Sequence, residues 1–493
     1  MKKKMMLHAL VLGLLAAGSS SQANEDAKAM HAEIEGPFAS PMEVTKACIN
    51  CHDDVATEVM ATSHWTWATE QKVDGKKEMR GKQNVMNNFC GAIKSNEPRC
   101  TSCHVGYGWK DGTFDFTDQS RVDCLVCHDT TSTYKKPGAG AGMPAGYTGK
   151  ASMDKNKVDL LKVARNVGKP ERDDCLSCHA FGGGGNNVKH GDIGKALINP
   201  TKEVDVHMGS AASGGQDFAC QECHTTEAHK IAGNSLIVSP MGSGNDVTCE
   251  QCHDAEPHSE STLNSHAAAV SCQACHIPAY AKVDGTKMSW DWSKSEKRPK
   301  GKVVEKDSHG HKVYIAKKGL FTYEDNVVPS YRWYNGTAGT YALGDKIDPK
   351  KPTPLNYPLG SIKDKKAKIM PFKIHTGKQI YDTVNNYFAT AKVWGPKGDK
   401  EAYWVNYKSK DPKVAANAWN EAAKAGMKAN GLEYSGKYGF AETETYWPIN
   451  HMVAEKDKAL GCLDCHGDKG RLDWQSLGYK GDPMKVKGAA RKK

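Results

Sequence analysis

The stretch Cys48-Ile49-Asn50-Cys51-His52 decides the fold class of this 493-residue chain, because its Cys-x-x-Cys-His pattern is found eight times. Chance placement of 17 cysteines and 20 histidines predicts only about 0.02 such motifs. In chain order the motifs are Cys48/Cys51/His52, Cys100/Cys103/His104, Cys124/Cys127/His128, Cys175/Cys178/His179, Cys220/Cys223/His224, Cys249/Cys252/His253, Cys272/Cys275/His276 and Cys462/Cys465/His466. They use every cysteine except Cys90.

This motif is the attachment site of c-type haem. Its two thiols add to the vinyl groups on one edge of the porphyrin, and the histidine that follows reaches the iron from below. Zinc sites and thioredoxin-like sites do not repeat in this way. The sequence therefore predicts eight covalently attached haem c groups. Haem faces would also supply apolar interior to a chain that is only 39% hydrophobic.

A low-spin haem iron needs a second axial ligand, most often another neutral imidazole. Seven further histidines lie in suitable surroundings and are the predicted distal ligands: His64, His207, His229, His258, His266, His375 and His451. His309 and His311 have a loop-like setting instead. Seven ligands for eight haems leave one iron open to bind and reduce a small molecule, unless His31, His190 or a methionine completes the set.

The N-terminus has the pattern of a secretory signal. Lys2, Lys3 and Lys4 precede a short apolar run over residues 7–18, and Ser21-Gln22-Ala23 offers a cleavage site near Ala23. We therefore expect a periplasmic protein that does not span the membrane. The formal net charge of +10 is best explained by neutralisation of haem propionates, since each ferric haem adds about one negative charge. No nucleic-acid partner is expected.

The motifs are unevenly spread, which predicts four regions: a signal peptide (1–23), a heptahaem region containing the active-site haem (24–280), a haem-free insert (281–440) and a C-terminal segment with the eighth haem (441–493). The predicted fold is mainly α with extensive loops and little regular structure, organised around the haems. The insert should contain some β-structure, near residues 313–323, and a helix capped by Asp411 and Pro412 that ends before Gly431. We expect the insert to cover the haem stack and to return His375 and His451 to it.

A family resemblance becomes specific at several segments that follow one another in order. They are Val44-Thr45-Lys46-Ala47-Cys48-Ile49-Asn50-Cys51-His52, Ser63-His64-Trp65-Thr66-Trp67, Asn87-Asn88-Phe89-Cys90, Asn96-Glu97-Pro98-Arg99-Cys100-Thr101-Ser102-Cys103-His104 and, after glycines 182–185, Val188-Lys189-His190-Gly191-Asp192. Over residues 36–468 the chain resembles the octahaem tetrathionate reductase family of periplasmic cytochromes.

The resemblance implies a Lys-ligated active-site haem, with Lys189 as the ligand and the haem on Cys100 and Cys103 as the catalytic one; whether His104 also ligates that iron stays open. Cys90 and Asn87 would line its pocket. Asn186 stands where members of the family can place an aspartate, which leaves the proton donor undefined. Each of the other haems would have two histidine ligands. Together they would transfer electrons from a periplasmic or membrane-bound donor cytochrome.

The residues give this assignment some physical support. A lysine ligates iron only as a neutral amine, and burial beside a metal favours that form. Cys90 is an unpaired thiol, which indicates either burial or reactivity. The expected activity is reduction of the anion tetrathionate to thiosulfate. Reduction of nitrite or hydroxylamine at the same haem and pure electron transfer are the alternatives, although no Cys-x-x-Cys-Lys motif of the standard nitrite reductases is present.

Overall fold

The computed structural model describes residues 29–73, 76–237, 246–296 and 303–486. The predicted signal peptide lies outside these ranges. No helix within them is both long enough and apolar enough to cross a membrane. The helices are Pro41–Ile49, Val55–Met60, Ser63–Thr66, Glu97–Cys100, Leu125–His128, Leu160–Ala164, Arg172–His179, Cys220–Cys223, Ser261–His266, Cys272–His276, Tyr403–Asn406, Pro412–Ala429 and Cys462–Cys465.

Short helices carry most of the haem motifs. Leu125–His128, Arg172–His179 and Cys272–His276 each end on a motif histidine. A helical turn suits the motif, because it brings residues three and four apart to one face and so presents both thiols and the imidazole together. Long loops join these helices, as the sequence predicted for a region held together by haem contacts.

The strands are β1 Ala68–Val73, β2 Lys76–Gly81, β3 Thr226–Glu227, β4 Lys230–Ile231, β5 Thr286–Asp291, β6 Val304–Lys306, β7 Lys312–Ile315, β8 Gly319–Glu324, β9 Ser330–Tyr334, β10 Ala338–Thr340, β11 Thr353–Pro358, β12 Lys368–Asp382, β13 Tyr387–Phe388 and β14 Tyr438–Pro448. β1 pairs with β2, and β3 with β4, in two small antiparallel sheets. The other ten form one mixed sheet in the order β10-β11-β14-β12-β5-β8-β7-β6, with β9 and β13 also paired to β12.

This ten-stranded sheet corrects the expectation of a mainly α chain with only some β-structure in the insert. The long strand β12 is its centre, antiparallel to β14 and parallel to β5. Most of its side chains are buried on both faces, as is usual for a strand that is covered on both sides. The predicted region boundary after residue 440 falls inside β14.

The helix Pro412–Ala429 packs on this sheet and has the predicted ends. The Asp411 carboxylate accepts a hydrogen bond from the Lys413 N–H at 2.9 Å, and Gly431 follows the helix with a φ of +70°. Gly426 allows the close approach, since a Cβ there would lie 1.5 Å from the Thr390 carbonyl oxygen. Trp419 and its neighbours on this face join the largest apolar core, which supports the wall of the site described next.

Candidate haem and active site

Seven motif histidines face a second histidine at nearly constant distance. Two metal–imidazole bonds of about 2 Å each, plus roughly 1.1 Å from each nitrogen to its ring centre, would separate the ring centres by about 6.2 Å. The observed separations are 6.2 Å for His31–His52, 6.1 Å for His64–His179, 6.5 Å for His128–His229, 6.0 Å for His207–His253, 6.2 Å for His224–His451, 6.0 Å for His258–His276 and 6.4 Å for His266–His466. Each pair therefore fits one six-coordinate iron.

The structure brings six of the seven predicted distal histidines into these pairs and does not bring the seventh, His375. His31, one of the alternatives considered from the sequence, faces His52 in its place. Pairing could not be predicted, because the two histidines of a pair often lie far apart in the chain, as His224 and His451 do.

His375 is corrected as a predicted ligand. It is fully buried on β12, where its ring stacks on Phe89 with 4.4 Å between centroids. Its Nδ1 donates to Asn88 Oδ1 at 2.9 Å, and the Asn88 amide donates back to the His375 carbonyl at 2.7 Å. The register of β12 thus aims this ring at the loop of residues 87–91, which it braces.

His104 is the one motif histidine without an imidazole opposite it. Its Nε2 donates to the Trp65 carbonyl at 2.7 Å, and its ring lies among the rings of Trp109, Phe114 and Phe116. Burial lowers the pKa of His104 to about 3, so the ring is neutral. Held in this way, His104 is not among the residues that line the cavity with Cys100 and Cys103, so the structure corrects its inclusion among the motif ligands, the point that the sequence left open.

Lys189 does line that cavity, which has a volume of about 3030 Å³ and contains most of the motif cysteines in its wall. Burial lowers the pKa of Lys189 to about 7, with Lys82 adding to this effect and Cys103 opposing it. The glycine run lets the lysine pass close to the backbone, since a Cβ on Gly182 would lie 2.7 Å from Lys189 Cδ. A lysine with this lowered pKa loses its proton easily, and the neutral amine beside Cys103 can then ligate iron.

Lys373 fixes the backbone that carries Lys189, a role that no motif in the sequence indicates. Its Nζ donates to the Val188 carbonyl at 2.8 Å, to the Lys189 carbonyl at 3.2 Å and to Thr286 Oγ1 at 2.6 Å. The side chain is fully buried, and burial lowers its pKa well below the usual range. Its position inside the central strand β12, among apolar neighbours, is the signal that could have drawn attention to it.

Cys90 and Asn87 both line the cavity, as the resemblance implied. Asn87 Oδ1 accepts hydrogen bonds from the N–H groups of Phe89 (3.0 Å) and Cys90 (3.1 Å), and its amide donates to the Gly91 carbonyl at 2.6 Å. Asn87 therefore shapes the loop that presents the thiol. Burial raises the pKa of Cys90, and nearby cations oppose the rise.

Asn186 lies outside the cavity wall. Its amide donates to Asp284 Oδ2 at 2.8 Å, and its Oδ1 accepts from the Lys195 N–H at 2.8 Å. Both ends of the side chain are engaged in joining two loops, so its predicted catalytic role is corrected to a structural one.

Cysteines of different motifs lie side by side. Cys48 lies next to Cys124, Cys103 next to Cys178, Cys175 next to Cys220 and Cys249 next to Cys272. At somewhat longer range, Cys127 neighbours Cys175, Cys223 neighbours Cys252 and Cys275 neighbours Cys465. Each motif cysteine marks the vinyl edge of its haem. Contacts between cysteines of different motifs would therefore bring the edges of all eight haems close together in one connected, branched set.

The donor set fits haem and not a bare metal ion. Within the described ranges, no three His, Cys, Asp or Glu side chains are grouped so as to hold a metal ion by themselves. A pair of imidazoles supplies only two axial ligands, so the remaining four have to come from a macrocycle such as the one the adjacent cysteines attach.

Comparison with known proteins agrees with this geometry. The family model "Cytochrome c bacterial" matches residues 287–469, and "Cytochrome c554 and c-prime" matches residues 47–129 and 194–254. The crystal structure of an octaheme cytochrome c from Shewanella oneidensis is 51% identical, with a TM-score of 0.83, covering 94% of this chain and 99% of that one. An uncharacterized protein of Archaeoglobus fulgidus is 26% identical over 236 residues, which are 39% of this chain and 77% of that protein.

Proposed function

The chain belongs to the multihaem c-type cytochromes, and on that basis we propose that it is a periplasmic octahaem reductase that converts tetrathionate to thiosulfate. The observation that carries the proposal is the exchange of roles between His104 and Lys189. The motif histidine is held in an aromatic cage, whereas the lysine lines the cavity beside Cys103. Cys100 and Cys103 would hold this haem, Lys189 would supply its amine ligand, and the haem would supply an iron able to bind a small molecule.

When bound, the haem of Cys100 and Cys103 supplies an iron that can bind a small molecule, and the bis-His haems supply electrons from a donor cytochrome. The residues around it suit an anionic substrate. Lys82, Arg99 and Lys318 line the same cavity and would offset the two negative charges of tetrathionate. This positive lining favours tetrathionate over neutral hydroxylamine.

Cys90 would act as a nucleophile in this scheme. Its thiol must first lose the proton, because burial raises its pKa, and Lys318 and Arg99 stabilise the thiolate. The thiolate attacks one central sulfur of tetrathionate, the central S–S bond breaks, and one thiosulfate leaves. Two electrons from the donor then cleave the mixed disulfide, which releases the second thiosulfate and restores the thiolate.

The test compares Lys189→Met with Lys195→Met in the purified holoprotein. Lys195 borders the same large cavity, but it is exposed and its Nζ lies over the Phe181 ring and not beside Cys90 or Cys103, so its loss should leave turnover unchanged. Lys189→Met should abolish tetrathionate reduction and alter the spectrum of one haem in eight. Faster turnover of nitrite or hydroxylamine than of tetrathionate by the unmodified protein would assign the site to nitrogen chemistry. No turnover of any of the three, with every iron six-coordinate, would leave a pure electron-transfer protein.

A further inference from the structure

Two buried carboxylates hold the short loop that carries the distal histidine His451. Asp192 Oδ2 accepts hydrogen bonds from the backbone N–H groups of Asn450 at 2.9 Å and of His451 at 3.0 Å. Asp205 Oδ2 accepts from the next two N–H groups of the loop, at 2.8 and 3.1 Å. Four consecutive N–H groups thus point at two carboxylates, which fixes the loop in one position.

Asp192 also contacts the imidazole of His451. Its Oδ2 accepts a hydrogen bond from His451 Nδ1 at 3.1 Å, so Nε2 is the nitrogen left for the iron. On the other side of that iron would lie His224, whose ring centre is 6.2 Å from that of His451. A carboxylate placed in this way behind a ligand histidine fixes the ring and makes the ligand more basic.

The charge of the two carboxylates is little screened by solvent. Asp192 is 1% exposed and Asp205 is 2% exposed, and both act as acceptors of N–H groups, as ionised carboxylates do. In the described ranges, the basic side chains within 4 Å of them are two histidines, His207 and His451. A buried negative charge stabilises ferric iron more than ferrous iron, because the ferric form has the larger positive charge. It should therefore lower the reduction potential of the haem that His451 ligates.

The fourth motif, which lies beside the fifth, lacks this arrangement. Its iron would lie between His64 and His179, and in the part of the chain that the structure describes neither imidazole is hydrogen-bonded to a carboxylate. Arg172, on the helix of the fourth motif, donates to the Phe218 carbonyl at 2.7 Å, two residues before Cys220 of the fifth motif. Two neighbouring haems would thus have histidine ligands in different electrostatic surroundings.

We propose that Asp192 sets the potential of the haem on the fifth motif (Cys220 and Cys223) below that of the haem on the fourth motif. The difference favours transfer of one electron from the fifth-motif haem, which is oxidised, to the fourth-motif haem, which is reduced. Asp192 is then a positioning residue that acts through His451 and directs electrons from this arm toward the second motif. The proposal does not depend on tetrathionate as the terminal substrate.

The test is Asp192→Asn in the holoprotein, with a spectroelectrochemical titration of all eight haems. Asparagine keeps an oxygen for the same three N–H donors and removes the charge. Asp192 Oδ1 has no hydrogen-bond partner among the described residues, so the new amide group breaks no existing hydrogen bond. One haem in eight should titrate at a potential more positive by about 59 mV, the shift for a tenfold change in a one-electron equilibrium.

Two ligand variants identify the haems in the titration. Methionine raises the potential of a haem when it replaces one of two histidine ligands. His451→Met should therefore remove the fifth-motif component from its usual position, and His64→Met should remove the fourth-motif component. In the unmodified protein, the component lost in His451→Met should lie at the lower potential, and it should be the component that Asp192→Asn shifts.

The matched control changes the charge in the opposite direction. Asn264 Oδ1 lies 3.1 Å from Nδ1 of His258, which faces the motif histidine His276. Asn264→Asp places a carboxylate where the chain has an amide, and it should lower the potential of one haem. The shift should be smaller than in Asp192→Asn, because Asn264 is only partly buried.

A titration of Asp192→Asn that superimposes on that of the unmodified protein would overturn the proposal. A fifth-motif component that lies above the fourth-motif component would overturn it as well, and that measurement does not require Asp192→Asn to fold. If the potentials behave as expected but tetrathionate is not reduced, the role of Asp192 stands and the proposed function fails.

Discussion

Replacing Lys373 by methionine should destabilise the protein and disturb the haem that we propose Lys189 ligates. The change removes three hydrogen bonds, to Val188 O, Lys189 O and Thr286 Oγ1. Hydrogen bonds from a charged donor contribute about 1.5–3 kcal/mol each, and neutral ones about 1 kcal/mol. Part of this is returned because a buried amine no longer has to be desolvated. We therefore expect a loss of about 3 kcal/mol in the free energy of unfolding.

Guanidinium unfolding of the holoprotein, followed by far-ultraviolet circular dichroism, measures this loss. The matched control is Lys378→Met, the same substitution five residues further along β12. The second readout is the electron paramagnetic resonance signal of the haem on Cys100 and Cys103, which should shift because the Lys189 backbone is released. A Lys373→Met variant that stays within about 0.5 kcal/mol of Lys378→Met, with an unchanged signal, would refute the reasoning.

The other predictions concern the haem environments. His31→Ala should convert one bis-His haem to high spin, whereas His375→Phe should leave the number of low-spin haems unchanged; paramagnetic resonance counts both, and the opposite pattern would restore His375 as a ligand. Glu58→Gln should raise the reduction potential of the haem on the third motif, because the Glu58 carboxylate lies 2.7 Å from Nδ1 of the distal His229 and makes that ligand more basic; spectroelectrochemical titration would show no shift if this pair is unimportant. Gly182→Ala should weaken amine ligation, since its Cβ would lie 2.7 Å from the ligand lysine, and an unaltered haem spectrum would argue against that.

The covalent part of the site could be predicted from the sequence, and the non-covalent part only in outline. Attachment chemistry fixes the spacing within Cys-x-x-Cys-His, so the motifs are visible in one dimension. A distal ligand has no such constraint. The sequence places His375 among the ligands and His31 only among the alternatives, because the composition around a histidine does not reveal which way its ring points. Only the register of β12 aims His375 at Asn88.

The insert was underestimated for a related reason. Polar residues such as Lys373 and Lys287 interrupt its strands and break the apolar pattern expected of buried strands. The local pattern fails at Lys373 because its side chain bonds the neighbouring backbone of Val188 and Lys189 and does not pack as an apolar side chain of the sheet. The capped helix Pro412–Ala429, which obeys every local rule, was predicted at both ends.

The contacts of the fourth motif have a further consequence. Cys178 lies against Cys103 of the active-site motif, while Cys175 is close to both Cys127 and Cys220. The series of haem motifs therefore branches at this point, with one arm running to the first motif, one to the last and the shortest to the second. If the second motif carries the active-site haem, as we propose, electrons have two separate routes to it, and two different reductants would not compete for the same docking face.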